Sequence, residues 1–438
     1  MGDPVSSVAY AIEAGLRALH GNFGLLLPTI AVVVGIVALV DVNYHALIGR
    51  FPSGGGGAAA TAAAFGEGWA FLSLGSLIVD YALTIALGVT AGSSAIIAYV
   101  PALAQERVAM ALGLTVLVGG ITWFGHGGRA IFAAMTIAFV AAALAVLIHG
   151  FVHPVAVGPL HPVAPTLGFR PLEVLLAFPV CMAFATGTEA PSSAIAQLGQ
   201  VGERGRMAFG RITLWLTLGI VALLTLGFAA LALRLNSGMP GPDSTLMAQL
   251  AVDAAGRGTL FAIFQLVTAL MLLAAANSGF NAGSGLLKAL ARSETGKAGP
   301  GVLPSWLART NRHHAPYGGL AVFLVVACAL VLASRGHAQA LVLFYAVAVM
   351  LSFLLGLLAM ARFSRRERRR GGLWLGLAAA VVVAVTLVLD VVRLYPIVSL
   401  AAAGTIAGLL YVQWVRGGRP GGVSEVEALA GGDQASEA

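Results

Sequence analysis

The chain has 438 residues, of which 59% are hydrophobic and only 10% are charged. An ordinary soluble domain carries roughly 25% charged residues, so this composition excludes a water-facing surface of normal polarity. The apolar residues fall in blocks of about 17 to 30, the length that a helix needs to cross the roughly 30 Å apolar layer of a bilayer. Barrel strands would alternate polar and apolar residues instead. The composition therefore predicts an all-α integral membrane protein with the lipid bilayer as its solvent.

The formal net charge is +7, which raises nucleic acid and anionic lipid as partners. The basic residues lie scattered at the ends of predicted helices, so we expect no nucleic-acid binding. The two cysteines, Cys181 and Cys328, both lie inside apolar blocks, and we interpret them as unpaired core thiols. No short apolar core ends in a small-residue cleavage site, so we predict no cleavable secretory signal.

Twelve apolar blocks, separated by Gly, Pro or charged residues, predict twelve transmembrane helices. In chain order the predicted helices cover 5–19, 25–47, 70–100, 108–124, 130–148, 171–197, 212–233, 259–276, 318–333, 338–361, 373–389 and 396–414.

The positive charges predict the orientation. With the N-terminus in the cytoplasm, eighteen of the 25 Lys and Arg residues fall on the cytoplasmic side and seven on the other. This positive-inside bias predicts a multi-pass protein of the cell membrane with both termini in the cytoplasm. The basic cluster at 365–370 is then a topology anchor, with anionic-lipid binding as the alternative. The tail at 416–438 is Gly-rich and acidic, and we expect it to be a disordered cytoplasmic tail.

Two predicted helices carry polar residues where a lipid-facing helix would be apolar. The first, around 2–13, and the sixth, around 185–194, both place a Pro close to a Ser-Ser pair. Interrupted helices at matching positions of two five-helix halves indicate an inverted-repeat transporter, in which the break builds the substrate site. The halves would be 1–150 and 171–370, within a transport core at 1–370. Two peripheral helices would follow at 371–415.

Asp80 lies near the middle of the third predicted helix, with about ten uncharged residues on either side. A carboxylate there costs about 2.5 to 3.5 kcal/mol on insertion scales and is tolerated mainly where it faces the bundle interior. Thr84 lies one turn along on the same face. Their hard oxygen atoms suit an alkali cation or a proton. A structural hydrogen bond between helices is the alternative.

Further oxygens and proton carriers lie near the two breaks. Asp3 and Tyr10 share one face of the first helix, two turns apart. Glu13 and Glu189 stand beside the breaks and are candidate proton carriers, unless each only caps a helix end. Nucleophile motifs, phosphate loops and metal-ligand clusters are missing from the sequence. We therefore predict no enzyme, no catalytic residue, no cofactor and no bound metal beyond a transported alkali cation.

These residues also resemble a known family. The stretch at 3–10, Asp-Pro-Val-Ser-Ser-Val-Ala-Tyr, resembles the first-helix signature of the KimA type of potassium importer. That type is a branch of the amino acid, polyamine and organocation (APC) superfamily, whose LeuT-type fold is a 5+5 inverted repeat with helices 1 and 6 broken. The resemblance continues through 51–56, 79–84, 186–190 and 344–353.

The resemblance implies a ligand set for potassium. Carried over where this sequence matches, the ligands are Asp3, Tyr10, Asp80, Tyr81, Thr84, Thr186 and Tyr345. A third-helix Ser of the family is replaced by Gly88, so that Gly88→Ser would either restore an ion ligand or disturb helix packing. The family also has half a helix before the first Asp, and we expect that half to be missing here, either because the start codon is misassigned or because the protein is truncated.

The resemblance thus implies proton-coupled uptake of a small cation, most directly potassium, by alternating access. The alternative is an amino acid permease of the same fold. Permeases of that kind bind the substrate carboxylate at a Gly-rich first-helix break, whereas Asp3 and a Ser-Ser pair stand here and favour a cation. The predicted partners are potassium or an amino acid, protons and the bilayer, and a homodimer is left open.

Overall fold

The structure is a computed structural model that describes residues 2–125, 129–155, 170–195, 198, 202–292, 301–392, 397–427 and 429–430. These residues form helices and connecting turns, without a β-strand among them. Ten helical segments of this part of the chain are long and apolar enough to cross a membrane. The chain is therefore an all-helical, multi-pass membrane protein.

The described residues contain fifteen α-helices. They are α1 (Gly2–Ala18), α2 (Phe23–Arg50), α3 (Gly56–Phe65), α4 (Glu67–Tyr99), α5 (Arg107–Trp123), α6 (Arg129–Val152), α7 (Pro171–Cys181), α8 (Ala190–Ala194), α9 (Glu203–Leu235), α10 (Leu246–Ala255), α11 (Thr259–Ala291), α12 (Tyr317–Ala333), α13 (Ala338–Arg366), α14 (Arg370–Val392) and α15 (Ile397–Arg416).

Each of the twelve predicted spans overlaps at least one of these helices. The ten membrane-length segments leave out α1 and α12, which have 17 residues each. Two short helices, α3 and α10, lie in connections where the sequence analysis predicts none. The predicted ends at residues 197 and 396 fall outside the described residues. Twelve crossings and a 5+5 repeat remain predictions.

The sixth predicted span is interrupted, as expected. Helix α7 ends at Cys181, a 3-10 turn covers Met182–Ala185, and the chain becomes extended at Thr186 before α8 begins. Gly187 has a φ of +74°, a left-handed conformation that glycine adopts without strain. Pro191 lies at the start of α8, where a missing backbone N–H costs no hydrogen bond. The break thus follows from local residue chemistry.

The predicted break in the first helix is wrong for the described residues, because α1 is continuous over Gly2–Ala18. Pro4 lies in its first turn, where an N–H has no intrahelical acceptor to lose. The Ser6 hydroxyl donates to the carbonyl of Asp3 at 2.7 Å, and the Ser7 hydroxyl donates to that of Pro4 at 2.6 Å. Within the described residues, Pro4 and the two serines therefore do not interrupt α1.

The charge bias assigns one end of the bundle, which holds the start of α1, the end of α2 and α3, to the cytoplasm. We call it the predicted cytoplasmic end, and the opposite end the predicted outer end.

At the predicted cytoplasmic end the chain after α15 is packed, unlike the disordered tail expected from residue 416. The Trp414 indole donates to the Pro420 carbonyl at 2.9 Å, and the Gly422 N–H donates to Glu67 Oε1 at 3.2 Å. Residues 431–438 lie outside the described residues.

Helices α4 and α11 approach closely along Gly88. A Cβ atom at this position would lie 2.7 Å from the Leu272 carbonyl oxygen and 3.0 Å from the Ala276 Cβ. Because these atoms belong to the core of α11, they have little freedom to move aside. Of the two interpretations of Gly88, the structure favours helix packing over a vacant ligand position.

We expect Gly88→Ser to destabilise the folded protein by about 1 to 3 kcal/mol, because added atoms force the two backbones apart. Gly92→Ser is the matched control, one turn along α4, where a Cβ meets nothing closer than the Leu273 side chain at 3.4 Å. Melting of both variants in the same detergent measures the difference. Equal melting temperatures would contradict the packing role.

Candidate ion-binding site

Hydroxyl groups from three helices and the break meet in the core of the bundle. Thr84 Oγ1 of α4 and the Tyr345 hydroxyl of α13 are hydrogen-bonded at 2.8 Å. Tyr10 of α1 interacts with the side chains of Tyr345 and Thr186, and all four residues are buried. Thr186 lies in the break, where its hydroxyl donates to the Ala183 carbonyl at 2.9 Å. The fold thus brings four predicted ligands together.

Carboxylates border this group of hydroxyls. Asp80 of α4 is 4% exposed, and no described residue donates a hydrogen bond to its Oδ1 atom. The charged groups that act on it are the carboxyls of Glu189 and Asp3. Asp3 Oδ2 lies against Gly187, 2.9 Å from where a Cβ of that residue would stand. The absence of a Cβ at Gly187 therefore lets the start of α1 approach the break.

The remaining predicted ligand, Tyr81, lies at the edge of the site. Its side chain interacts electrostatically with four carboxyl groups, most strongly with that of Glu427 and then, in decreasing order, with those of Asp80, Glu189 and Asp3. Its ring also packs within two apolar clusters beside α4. Tyr81 therefore connects the candidate site to the predicted cytoplasmic end and does not stand among the other hydroxyls.

A cavity of about 310 Å³ opens at the predicted outer end. Its lining includes Tyr10, Glu13, Arg17, Arg107 and His337. Tyr10 belongs both to the cavity wall and to the group of hydroxyls, so the cavity reaches the candidate site from that end. The structure therefore gives the site an access route on one side.

Glu13, the first proton-carrier candidate, is already satisfied. Its Oε2 atom accepts the N–H of Leu246, the first residue of α10, at 3.0 Å. Its Oε1 atom forms an ion pair with Arg17 at 2.8 Å. A carboxylate at a helix N-terminus is stabilised by the helix dipole and the free N–H groups. The structure thus supports the capping interpretation for Glu13 and keeps it apart from the carboxylates around Asp80.

Glu189, the second candidate, stands at the break itself. It is 6% exposed, and its Oε2 atom has no hydrogen-bond partner among the described residues. Glu427 and Asp3 are the carboxyls that act on it. Of the two proton-carrier candidates, only Glu189 lies beside the candidate ion-binding residues.

Sequence analysis missed Asp41 of α2. It is 1% exposed, and neither of its carboxylate oxygens has a hydrogen-bond partner within the described residues. It acts electrostatically with Glu189 and with Tyr44, one turn along α2. Its position inside a predicted membrane span was a signal, because the rule that selects Asp80 applies to any acidic residue there.

Sequence analysis also missed Glu427, which lies beyond the last membrane helix. It is 5% exposed and accepts the Ala58 N–H at 3.3 Å. Burial raises the pKa of Glu427 from its ordinary value of 4.5 to about 7, against the stabilising N–H of Ala58 and the Ser193 hydroxyl. No sequence signal marked this residue, because its burial depends on tertiary contacts alone.

The chain belongs to the amino acid permease family, whose sequence model matches residues 1–415. It is also 28% identical over 386 residues to the "Potassium transporter KimA" of Bacillus subtilis (strain 168). That alignment covers 85% of this chain and 61% of the relative's length. Both the family and this relative are transporters and not enzymes, in agreement with the prediction from the sequence.

Glu13→Ala tests the capping role, because it removes the acceptor of the Leu246 N–H and the partner of Arg17. We expect a loss of about 1 to 3 kcal/mol in the free energy of unfolding, the usual penalty of an unsatisfied buried donor. Glu13→Gln keeps an oxygen for that N–H and should lose less. Melting of both variants in detergent provides the comparison, and wild-type stability of Glu13→Ala would show that these contacts contribute nothing.

Proposed function

We propose that this transporter takes up potassium in symport with protons across the cell membrane. One observation carries the proposal: the charged groups that act on the buried Asp80 are carboxyls, and its Oδ1 atom has no donor among the described residues. Carboxylates in such surroundings repel one another unless a cation or proton lies between them. The proposed ligands are Asp3, Tyr10, Asp80, Thr84, Thr186 and Tyr345, with Tyr81 at the edge.

The chemistry of these ligands favours an alkali cation over other ions. Carboxylate and hydroxyl oxygens are hard ligands, which transition metals with a preference for sulfur or nitrogen do not select. The similarity to a potassium transporter supports potassium among the alkali cations, although that relative is considerably longer.

Transport would proceed by alternating access between two inverted repeats, at 1–150 and 171–370, with α14 and α15 peripheral and both termini in the cytoplasm. The contact between the start of α1 and the break supports this arrangement, because Asp3 of the first repeat meets Gly187 of the second. Substrate sites at a repeat interface, built from a discontinuous helix, are typical of such transporters.

An amino acid permease is the second candidate. The family model supports it directly, and so does Gly88, since a packing residue stands where the potassium ligand set of the resembling family has an eighth ligand, a serine. Uptake of rubidium by proteoliposomes, measured against a panel of radiolabelled amino acids, separates the two functions. Saturable uptake of an amino acid without rubidium uptake would overturn the potassium proposal.

Asp80→Asn should abolish rubidium uptake while the protein stays folded, because the amide preserves side-chain size and removes the charge that attracts the cation. A drop of more than tenfold at limiting rubidium is expected. Glu106→Gln, which removes one exposed negative charge, is the control for net charge. Normal uptake by Asp80→Asn would remove this residue from the site.

Uptake should accelerate when the outside is acidified and collapse with a protonophore. Glu189→Gln should lose this pH dependence, because an amide does not carry the coupling proton. Glu13→Gln is the matched comparison and should keep it, since Glu13 serves as a helix cap. Full uptake driven by a sodium gradient alone, or the reverse behaviour of the two variants, would contradict the assignment of protons to Glu189.

A further inference from the structure

The segment that follows α15 places one carboxylate on the predicted cytoplasmic side of the candidate site. Glu427 contacts the position of Gly56 and accepts the N–H of Ala58, so it caps the start of α3. It also interacts with Ser193 of α8. A single side chain from the end of the chain thus joins α3 to the interrupted sixth span.

Apolar side chains hold this segment in place. Val423 and Val426 are 2% and 6% exposed, and they belong to a cluster formed by α4, α11 and α15. The cluster members on those helices include Phe71, Leu74, Leu286, Leu290 and Trp414. The Gly422 N–H bonds to Glu67 at the start of α4. The segment therefore spans helices that the proposed mechanism assigns to different repeats.

The groups that face Glu427 come from three further places. Tyr44 lies on α2, Tyr81 on α4, and Glu189 immediately before α8. Tyr81 and Glu189 both also interact with the carboxyls around Asp80. Glu427 therefore lies on the route from the candidate site toward the predicted cytoplasmic end, opposite the outer cavity.

We propose that residues 420–427 form a cytoplasmic gate, in which Glu427 is the plug that closes the route from the ion site to the cytoplasm. The gate rests on the proposed transport function. The gate closes when Glu427 inserts next to Tyr81 and Glu189. It opens when Val423 and Val426 of the segment lose their contacts with α4, α11 and α15. Departure of Glu427 also relieves the repulsion between its carboxylate and that of Glu189.

Protons control this gate in a defined direction. The pKa of Glu427 is about 7 in the docked segment and 4.5 in the ordinary exposed state, so the docked segment binds the proton more tightly. Docking is then strongest below pH 4.5, weakens as the pH rises toward 7, and is constant above that. The docking equilibrium should fall by roughly 20-fold between pH 5.5 and pH 7.5.

Cysteine labelling measures docking without any transport. The experiment uses the full chain with Cys181→Ser, Cys328→Ser and Val423→Cys, labelled by a charged maleimide from the cytoplasmic side. Glu425→Cys, at an exposed position of the same segment, corrects for the pH dependence of the thiol reaction itself. The corrected labelling rate at Val423→Cys should rise by roughly 20-fold from pH 5.5 to pH 7.5.

Glu427→Gln is the decisive variant, because an amide reproduces the protonated acid at every pH. We expect protected labelling at both pH values and several-fold slower rubidium uptake at pH 7.5. Glu425→Gln, its neighbour on the exposed face, should keep wild-type labelling and uptake. Labelling that is independent of pH in the protein with Glu427 intact would overturn the gate, and so would wild-type uptake by Glu427→Gln. Absence of rubidium uptake in every variant, with normal labelling, would instead overturn potassium transport.

Discussion

The bilayer interior offers no water to solvate a carboxylate, and this constraint shapes the whole site. Asp3, Asp41, Asp80 and Glu189 all lie in membrane helices or at the break, and Glu427 interacts with Glu189 from the segment after α15. Each isolated buried charge would cost several kcal/mol. Gathering several of them in one place favours the binding of a proton or a cation, which would offset that cost and which the proposed symport would use.

Two kinds of structure surround this region: closely packed helices on one side and irregular backbone on the other. Gly88 lets α4 lie directly on α11. Gly279 of α11 does the same from the other side, because a Cβ atom at that position would lie 2.9 Å from the Ile85 side chain. This contact fixes the face of α4 that presents Asp80 and Thr84. The break around Gly187 is held instead by turn hydrogen bonds, from the Thr188 N–H to the Ala185 carbonyl at 3.3 Å and from the Ala190 N–H to the Gly187 carbonyl at 3.1 Å. A regular helical face of α4 thus lies opposite an irregular segment.

The positions of most spans could be predicted from sequence, because an apolar block in lipid has few alternatives to a helix. The importance of Asp80 and the interruption at Gly187 and Pro191 could be predicted too, because such residues are uncommon inside a membrane helix. The continuity of α1 could not, since Pro4 interrupts or begins a helix depending on where the helix starts. The role of Glu13 depends on α10, a short helix without a membrane-span signal. Docking of Glu427 depends on tertiary contacts of a polar segment, which residue periodicity does not encode.

The two ends of the transport route carry different kinds of charge. At the outer cavity, Arg17 pairs with Glu13 and Arg107 pairs with Asp243 at 3.0 Å, so the charges are largely balanced. Beyond Tyr10, Asp80 interacts with the carboxyls of Glu189 and Asp3, and Glu189 interacts with those of Glu427 and Asp3. A cation that followed this route would pass from a balanced vestibule into a negative region and would gain favourable interaction as it went deeper. Under the proposed symport, a cation at Asp80 and a proton on Glu189 would together neutralise this cluster, so that both bind from the outer side and both leave toward the cytoplasm in one cycle.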